Sequence, residues 1–246
     1  MEEPNFRDRR PHAALNLHSR RLKAMKIERL LDLALKAQPL KMLEIGTGSG
    51  GIAHYFAKHP MLQCEVVAVD VVDQRLLKCG YEFKMVENSK LPFNDGYFEV
   101  VITNHVIEHV GDRNEQRNHL SELRRVMNEK GVGYLAVPNR WMLVEPHYHL
   151  AFLSWLPHRL RSSYLRATGR GTYYDCEPLS LNKIERLLDE TGFRYENLCT
   201  RALRETIELE GRQGLAETLI SKISDRVFER LLPLMPTLIY RIERIS

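Results

Sequence analysis

The sequence has no apolar run of the roughly 18 residues that a membrane-spanning helix takes, so a transmembrane chain is not expected. Its four cysteines, Cys64, Cys79, Cys176 and Cys199, include no C-x-x-C pair, which argues against a zinc knuckle and a disulfide framework and leaves reduced thiols as the default. No repeat of fixed period and no low-complexity stretch is present, which sets aside a solenoid. The opening MEEPNFRDRR lacks the apolar core of a secretory signal, so the expected setting is cytoplasmic. Charge of one sign is scarce too: 36 Lys and Arg against 32 Asp and Glu give net +4, too balanced for a disordered polyelectrolyte.

What is present describes a globular chain. Its 246 residues are 43% hydrophobic, with a mean hydropathy of -0.36, enough to bury a sizeable core. The positive charge is local, since residues 1–41 carry ten basic and five acidic residues. Residues 19–37 place Leu22, Met25, Leu30, Leu31 and Leu35 near helical spacing, an amphipathic helix ended by Pro39.

From residue 41 short apolar runs (KMLEI, EVVAVD, FEVVIT, GVGYLAVP) alternate with helical stretches such as GIAHYFAKH and HLSELRRVMN. Such alternation implies parallel strands covered on both faces, a doubly wound α/β sheet. Residues 139–178 interrupt it with seven of the twenty aromatics, both tryptophans and His147, His149 and His158, an inserted lid. The chain reads as one domain in four parts: a basic helical arm (1–40), a core (41–138), the lid (139–178) and carboxy-terminal helices and strands (179–246). In the last part a helix is expected near 180–191, a strand at FRYENLCT, a helix near 213–232 and a final strand TLIYRIE.

A doubly wound sheet binds ligands just past its strand ends. After the first strand comes Glu44-Ile45-Gly46-Thr47-Gly48-Ser49-Gly50-Gly51, opening a helix. Glycines let a ligand approach the backbone, and the helix start offers free N–H groups. Alone, this turn fits a nucleotide-like cofactor or a plain strand–helix junction. Asp70, twenty residues after Gly50 and closing Val66-Val67-Ala68-Val69, favours the cofactor, because a carboxylate there can accept both ribose hydroxyls. The spacing G-x-G-x-G lacks the deeper third glycine of dinucleotide sites. Glu44 would repel a pyrophosphate but can hold an ammonium, so the charge logic favours a cationic amino-acid ligand.

At these residues the sequence resembles the class I S-adenosylmethionine-dependent methyltransferases, in particular small-molecule enzymes with a type-11-like domain. LEIGTGSG looks like their first motif, VVAVD like the second-strand acid, and ENSKLPFNDGYFEVVITNHVIEHV like the stretch around their fourth strand. The resemblance covers 41–138 closely and 179–200 loosely, and implies a seven-stranded Rossmann-like sheet with TLIYRIE antiparallel beside the fifth strand. It implies S-adenosylmethionine as cofactor, with Glu44, Gly46, Gly48 and Gly50 at the methionine end and Asp70 on the ribose. Glu87, where Asp is more usual, and Asn88 would meet the adenine edge, with Asn104 on the sulfonium side. Val71 would pack on the adenine or serve as ordinary core. PNRWMLVEPHYHLAFLSWLP is similar to the substrate cover of a bacterial small-molecule subgroup.

Methyl transfer from a sulfonium is an in-line displacement, and an oxygen acceptor benefits from a general base, for which histidine suits neutral pH. His109, His147 and His149 are the expected catalytic residues, with His105 beside them; Trp141, Glu145 and Trp155 are expected to form the acceptor pocket. His105-Val106-Ile107-Glu108-His109 spells H-x-x-E-H, which on a helix would put three polar groups on one face and occurs in some zinc peptidases. It also resembles in part the E-x-x-E-H of quinone-precursor O-methyltransferases; no metal is assigned to it.

The expected function is methylation of a small molecule, most readily at oxygen, without nucleic acid. One alternative is an RNA or protein methyltransferase, motivated by Arg7, Arg9, Arg10, Arg20, Arg21, Lys23 and Lys26. Another is a non-catalytic S-adenosylmethionine-binding protein at a membrane surface. Its motive is Val227, Phe228, Leu231, Leu232, Leu234 and Met235 beside Arg226 and Arg230, a pattern that packing against the sheet explains equally.

Overall fold

The computed structural model describes residues 16–211 and 225–245. The β-branched runs form the strands, since side chains such as those of Val66, Val67, Val100 and Val101 suit a pleated surface buried on both sides. The central strands are β1 (Leu40–Ile45), β2 (Cys64–Asp70), β4 (Phe98–Asn104) and β5 (Met127–Pro138). With β3 (Glu82–Met85), β8 (Phe193–Asn197) and β9 (Thr237–Arg244) they make one seven-stranded sheet in the order β3-β2-β1-β4-β5-β9-β8. The first five are parallel, and β9 lies antiparallel between β5 and β8, where the sequence places TLIYRIE. In β9, Leu238, Tyr240 and Ile242 are fully buried, following the alternation.

Helices supply two coverings. α1 (Leu17–Leu30) packs on α2 (Gly51–Ala57) and on α6 (Cys199–Glu210), while α3 (Arg113–Val126) packs on α5 (Leu181–Glu190). The ends of α3 show why it starts and stops. The Asp112 carboxylate accepts the N–H groups of Asn114 and Glu115, and Arg124 and Arg125 sit in the last turn, where cations meet the helix dipole. A short α7 (Asp225–Leu231) follows α6 in the described chain.

Several expectations change. The lead-in helix stops at Leu30, because Asp32 takes a left-handed conformation (φ 52°); Leu35 is thereby left exposed, and Ala24, Ile27, Leu30 and Leu31 form the buried face. The strand–helix alternation lapses between β2 and β4, where two loops, not helices, make the connections. The FRYENLCT strand ends at Asn197, and Cys199 already begins α6. Of the helix expected near 213–232, residues 212–224 lie outside the described residues, as do Arg7, Arg9 and Arg10 and the side chain of Arg226.

Residues 139–178 leave and return at one point: Asn139 bridges to Leu179, and the Arg140 N–H donates to Leu179 O at 3.1 Å. Between lie a hairpin of β6 (Val144–Glu145) and β7 (Leu150–Ala151) and helix α4 (His158–Ala167). The insert has an apolar centre of its own, formed by Tyr148, Leu150, Leu153, Leu165, Tyr174 and Cys176.

Leu135 is fully buried in β5, paired to Thr103 on one side and Tyr240 on the other. Leu135→Ala is expected to cost ~2–5 kcal/mol of unfolding free energy, read from the denaturation midpoint at unchanged m. Leu35→Ala, at a site 87% exposed, should stay within about 0.5 kcal/mol.

Candidate cofactor and acceptor site

The winding reverses at β1: the chain runs outward through β2 to β3, then crosses back to β4 on the other side. Crossovers depart in opposite directions there and leave a crevice beyond the carboxyl ends of β1 and β4. The glycine turn follows β1 and Asn104-His105 follows β4, so both motifs fall at that crevice.

Gly46, Gly48 and Gly50 all adopt positive φ (73°, 52° and 75°), the left-handed region that costs other residues a Cβ clash. Space demands glycine as well. A Cβ on Gly46 would collide with Val106, so the turn rests directly on the segment after β4; one on Gly50 would collide with the Tyr81 hydroxyl and Leu77 O. Glu44 is buried beneath the turn. Its Oε2 accepts the Thr47 hydroxyl at 2.7 Å and the Ala53 N–H at 2.9 Å, and the Arg20 charge acts on the same carboxyl. Burial lifts the Glu44 pKa to about 8 against these two bonds.

Asp70 ends β2 with Oδ2 accepting the Gly48 N–H and Oδ1 the Val71 N–H, both at 2.8 Å. The carboxylate is thus fixed beside the glycine turn with lone pairs to spare, and burial raises its pKa. Val71 is 39% exposed, so the crevice side of this strand end is not ordinary core. Glu87 and Asn88 lie exposed just past β3, whose Met85 is the register partner of Asp70; Asn88 Oδ1 caps the Lys90 N–H. Asn104 carries a buried Oδ1 without a hydrogen bond, an acceptor left for a ligand.

H-x-x-E-H is not helical: Ile107–His109 form a single 3-10 turn, and His105 stands outside it at φ 58°. The long helix that a zinc peptidase needs is absent at this motif. Glu108 is fully buried, with His105 Nδ1 at 3.4 Å and His109 Nε2 at 3.8 Å. Burial disfavours its charge, yet the two imidazoles hold its pKa below the ordinary value. Burial also lowers the His105 pKa, with Glu108 opposing.

The insert contributes to the same wall. The His147 and His109 rings meet edge to face at 5.1 Å, and Glu145 Oε1 lies 2.6 Å from His147 Nδ1. Burial works against the charged imidazole, but Glu145 raises the His147 pKa. Of the three expected catalytic histidines, His109 and His147 come together and His149 does not: it is exposed in the hairpin turn at φ 53°. Trp141 and Trp155 pack on each other at 5.6 Å, half-exposed, with the Trp155 indole N–H donating to Met142 O. Glu145, in contrast, is buried against His147.

Four participants escape the sequence patterns. Thr47 locks Glu44. Arg20 is half-buried against Gly51, and Lys23 is half-buried nearby with its pKa lowered to about 7 by burial, Lys26 and Arg20. Cys176 approaches His109 Nδ1 at 3.6 Å. Only the run Tyr173-Tyr174-Asp175-Cys176-Glu177, dense in titratable groups, could have signalled it.

The sheet order and a glycine turn flanked by two strand-end acids define a class I methyltransferase fold. Residues 43–135 match the family model described as a methyltransferase domain, and over this stretch the motifs and the sheet order are those of the class I S-adenosylmethionine-dependent methyltransferases. It is 28% identical over 139 residues to the demethylmenaquinone methyltransferase of Thermotoga maritima, covering 53% of this chain and 58% of that one. It therefore spans little more than half of that relative, and 35% of a norajmaline N-methyltransferase from Rauvolfia serpentina with which it shares 29% identity. The YcgJ protein of Bacillus subtilis superposes with a TM-score of 0.54 at 16% identity, over 90% of this chain and 99% of that one.

S-adenosylmethionine is the cofactor of this class, and the residues present fit it. Gly46 and Gly50 keep the turn open where a Cβ would clash, Asp70 is fixed beside it for a ribose, the buried Glu44 carboxyl lies beneath it, and Asn104 Oδ1 awaits a partner.

The Glu44 carboxyl gives a pH test. The unfolded chain releases this proton near 4.5, whereas the folded chain keeps it to about 8, so between these values the folded state binds more protons. Its stabilising contribution is complete below 4.5, declines as pH rises through the window and is flat above. Glu44→Gln should abolish this decline, seen as a wild-type minus variant stability difference that falls from pH 4.5 to 8. In wild type, cofactor binding at pH 7 should release a proton, measured by calorimetry in buffers of different ionisation enthalpy.

Proposed function

We propose that the protein transfers a methyl group from S-adenosylmethionine to a small-molecule acceptor at oxygen, in a cytoplasmic setting. The observation that carries this reading is the contact of the glycine turn with the segment 105–109, which carries the half-buried His105 imidazole and the buried Glu108 carboxylate. A bound S-adenosylmethionine would supply a methyl carbon activated by its sulfonium. Glu44 receives the ammonium, Asp70 accepts the ribose hydroxyls and Asn104 lines the reacting end. Glu87, Asn88 and Val71 border the adenine.

His105 is the proton acceptor in this reading. The Glu108 carboxylate, 3.4 Å from Nδ1, favours the tautomer with its proton on that nitrogen, which leaves Nε2 to take the hydroxyl proton of the acceptor as the O–C bond forms. The lowered pKa keeps the ring neutral before the reaction. The insert, with Glu145, Trp141 and Trp155, frames the acceptor and excludes water.

A small acceptor is favoured over RNA because the basic residues of α1 do not form a free outer stripe. Arg29 pairs with Glu205 and Glu208, Lys26 donates to Thr206, and Arg20 and Lys23 turn inward. The residues that motivate the membrane-surface reading divide: Phe228 is buried and Leu232 and Met235 pack on the main core, whereas Val227, Leu231 and Leu234 are exposed.

Incubating the purified full chain with isotopically labelled donor and cell extract should yield a product carrying one labelled methyl on oxygen, identified by mass spectrometry. Label on nitrogen or carbon would refute the oxygen assignment. If calorimetry finds binding of neither the donor nor its demethylated product, the whole reading fails. Asp70→Ala should weaken donor binding roughly 10- to 100-fold. His105→Ala should lower kcat on the order of 10²–10⁴-fold while leaving the donor Kd within about twofold.

A further inference from the structure

We propose that His109, His147 and Cys176 form a binding site for one transition-metal dication of the zinc class, joining the insert to the end of β4. Each offers one ligand atom, and the three atoms lie within 4.8 Å of one another. The segments that bring them together are far apart in sequence: the turn after β4, the β6–β7 hairpin turn and the stretch that returns to α5. Zinc bond lengths of about 2.3 Å to sulfur and about 2.0 Å to nitrogen, at a tetrahedral angle, separate such donors by about 3.5 Å. Cys176 Sγ and His109 Nδ1 stand 3.6 Å apart.

The surroundings are those of a metal site. Each imidazole stands beside a buried carboxylate: Glu108 lies 3.8 Å from His109 Nε2, the nitrogen turned away from Cys176, and Glu145 lies 2.6 Å from His147 Nδ1, which is itself 4.0 Å from Cys176 Sγ. Carboxylates in that position orient the ring and make it a better ligand. Glu145 is itself held by the Tyr148 N–H at 2.8 Å. Asp175 Oδ1, 3.6 Å from Cys176 Sγ, adds a third carboxylate, so the local field suits a dication. The cluster is also braced, because the Glu177 N–H donates to Glu108 O at 2.8 Å and the Gln116 amide bridges Ile107 O and Glu177 O. A cleft of about 790 Å³ is walled in part by Tyr174, Asp175 and Cys176.

Two imidazoles and a thiolate select zinc-class ions over magnesium or calcium, which prefer oxygen ligands. Three protein ligands leave a fourth position for water or an acceptor oxygen. The ligand set is neither a C-x-x-C knuckle nor the H-x-x-E-H triplet: two of the three ligands come from the insert, Glu108 stands behind His109, and His105 remains free to act as a base.

The test uses the full chain, purified without a metal-binding tag and stripped with chelator, and titrated with zinc in the absence of methyl donor. One zinc per chain is expected. Cys176→Ala and His109→Ala should each weaken zinc binding more than about 100-fold, and the milder Glu145→Gln about 10- to 100-fold. Cys79→Ser, at an exposed cysteine, should match wild type. Cobalt loading should produce thiolate-to-metal absorption that Cys176→Ser removes and Cys79→Ser retains. Circular dichroism on each variant separates ligand loss from misfolding, and Glu145→Gln keeps the test alive should a ligand variant not fold. Absence of stoichiometric zinc, or wild-type affinity in folded Cys176→Ala and His109→Ala, overturns the site. Because donor binding by the chelated protein is measured separately, the metal site and the methyl-transfer reading fail independently.

Discussion

The reversal of winding at β1 is the constraint from which the site follows. Because β2 and β4 flank β1 on opposite sides, the connections at its carboxyl end diverge and leave a crevice between them. Every group at that gap is positioned by sheet register. Asp70 and Ile45 end adjacent strands, and Thr103, the partner of Ile45, precedes Asn104. The β-branched cores of β1, β2 and β4 make this register costly to slip, since a one-residue shift would turn buried side chains to the opposite face. The precision of the crevice is therefore supplied by apolar packing below it.

Much of this was legible in the sequence. VVAVD and FEVVITN declare their strands by β-branched content, the glycine spacing declares a turn no other residue type fits, and the alternation of Leu238, Tyr240 and Ile242 declares the last strand. The failures have local causes. Leu35 keeps helical spacing, but the left-handed Asp32, held by Arg201, turns the chain before it. H-x-x-E-H keeps its spacing too, but His105 at positive φ and the Val106 contact with Gly46 confine it to one turn. Cys176 could not be read from spacing, because its neighbours His109 and His147 are 67 and 29 residues away in the chain. Patterns of period 2 or 3.6 report neighbours along an element and are blind to meetings between elements.

The electrostatics of the crevice match a ligand that brings its own positive charge. Glu44 is buried deeply enough to hold its proton near neutrality, so the cost of its ionisation falls due when an ammonium arrives to offset it. Lys23, its pKa depressed to about 7, and His105, also depressed, add little fixed positive charge, and Arg20 is the guanidinium that acts on Glu44 before a ligand arrives. A dinucleotide pyrophosphate would need the reverse arrangement, with donors and cations where Glu44 now lies.

The insert adds a second level of independence. It closes on itself through Asn139 and Leu179 and packs around its own apolar centre, so its inner surface can change without disturbing the ends of β1, β2 and β4. Its ties to the main body are concentrated where the chemistry would occur: the Glu177 backbone on Glu108, the Gln116 amide across the gap, and the cluster of His109, His147 and Cys176. Loosening those ties would therefore alter how the acceptor is held before it altered how the cofactor is held. On the proposed reading, a chain built in this way would separate the choice of acceptor from the supply of the methyl group, with the segment 105–109 as the place where the two meet.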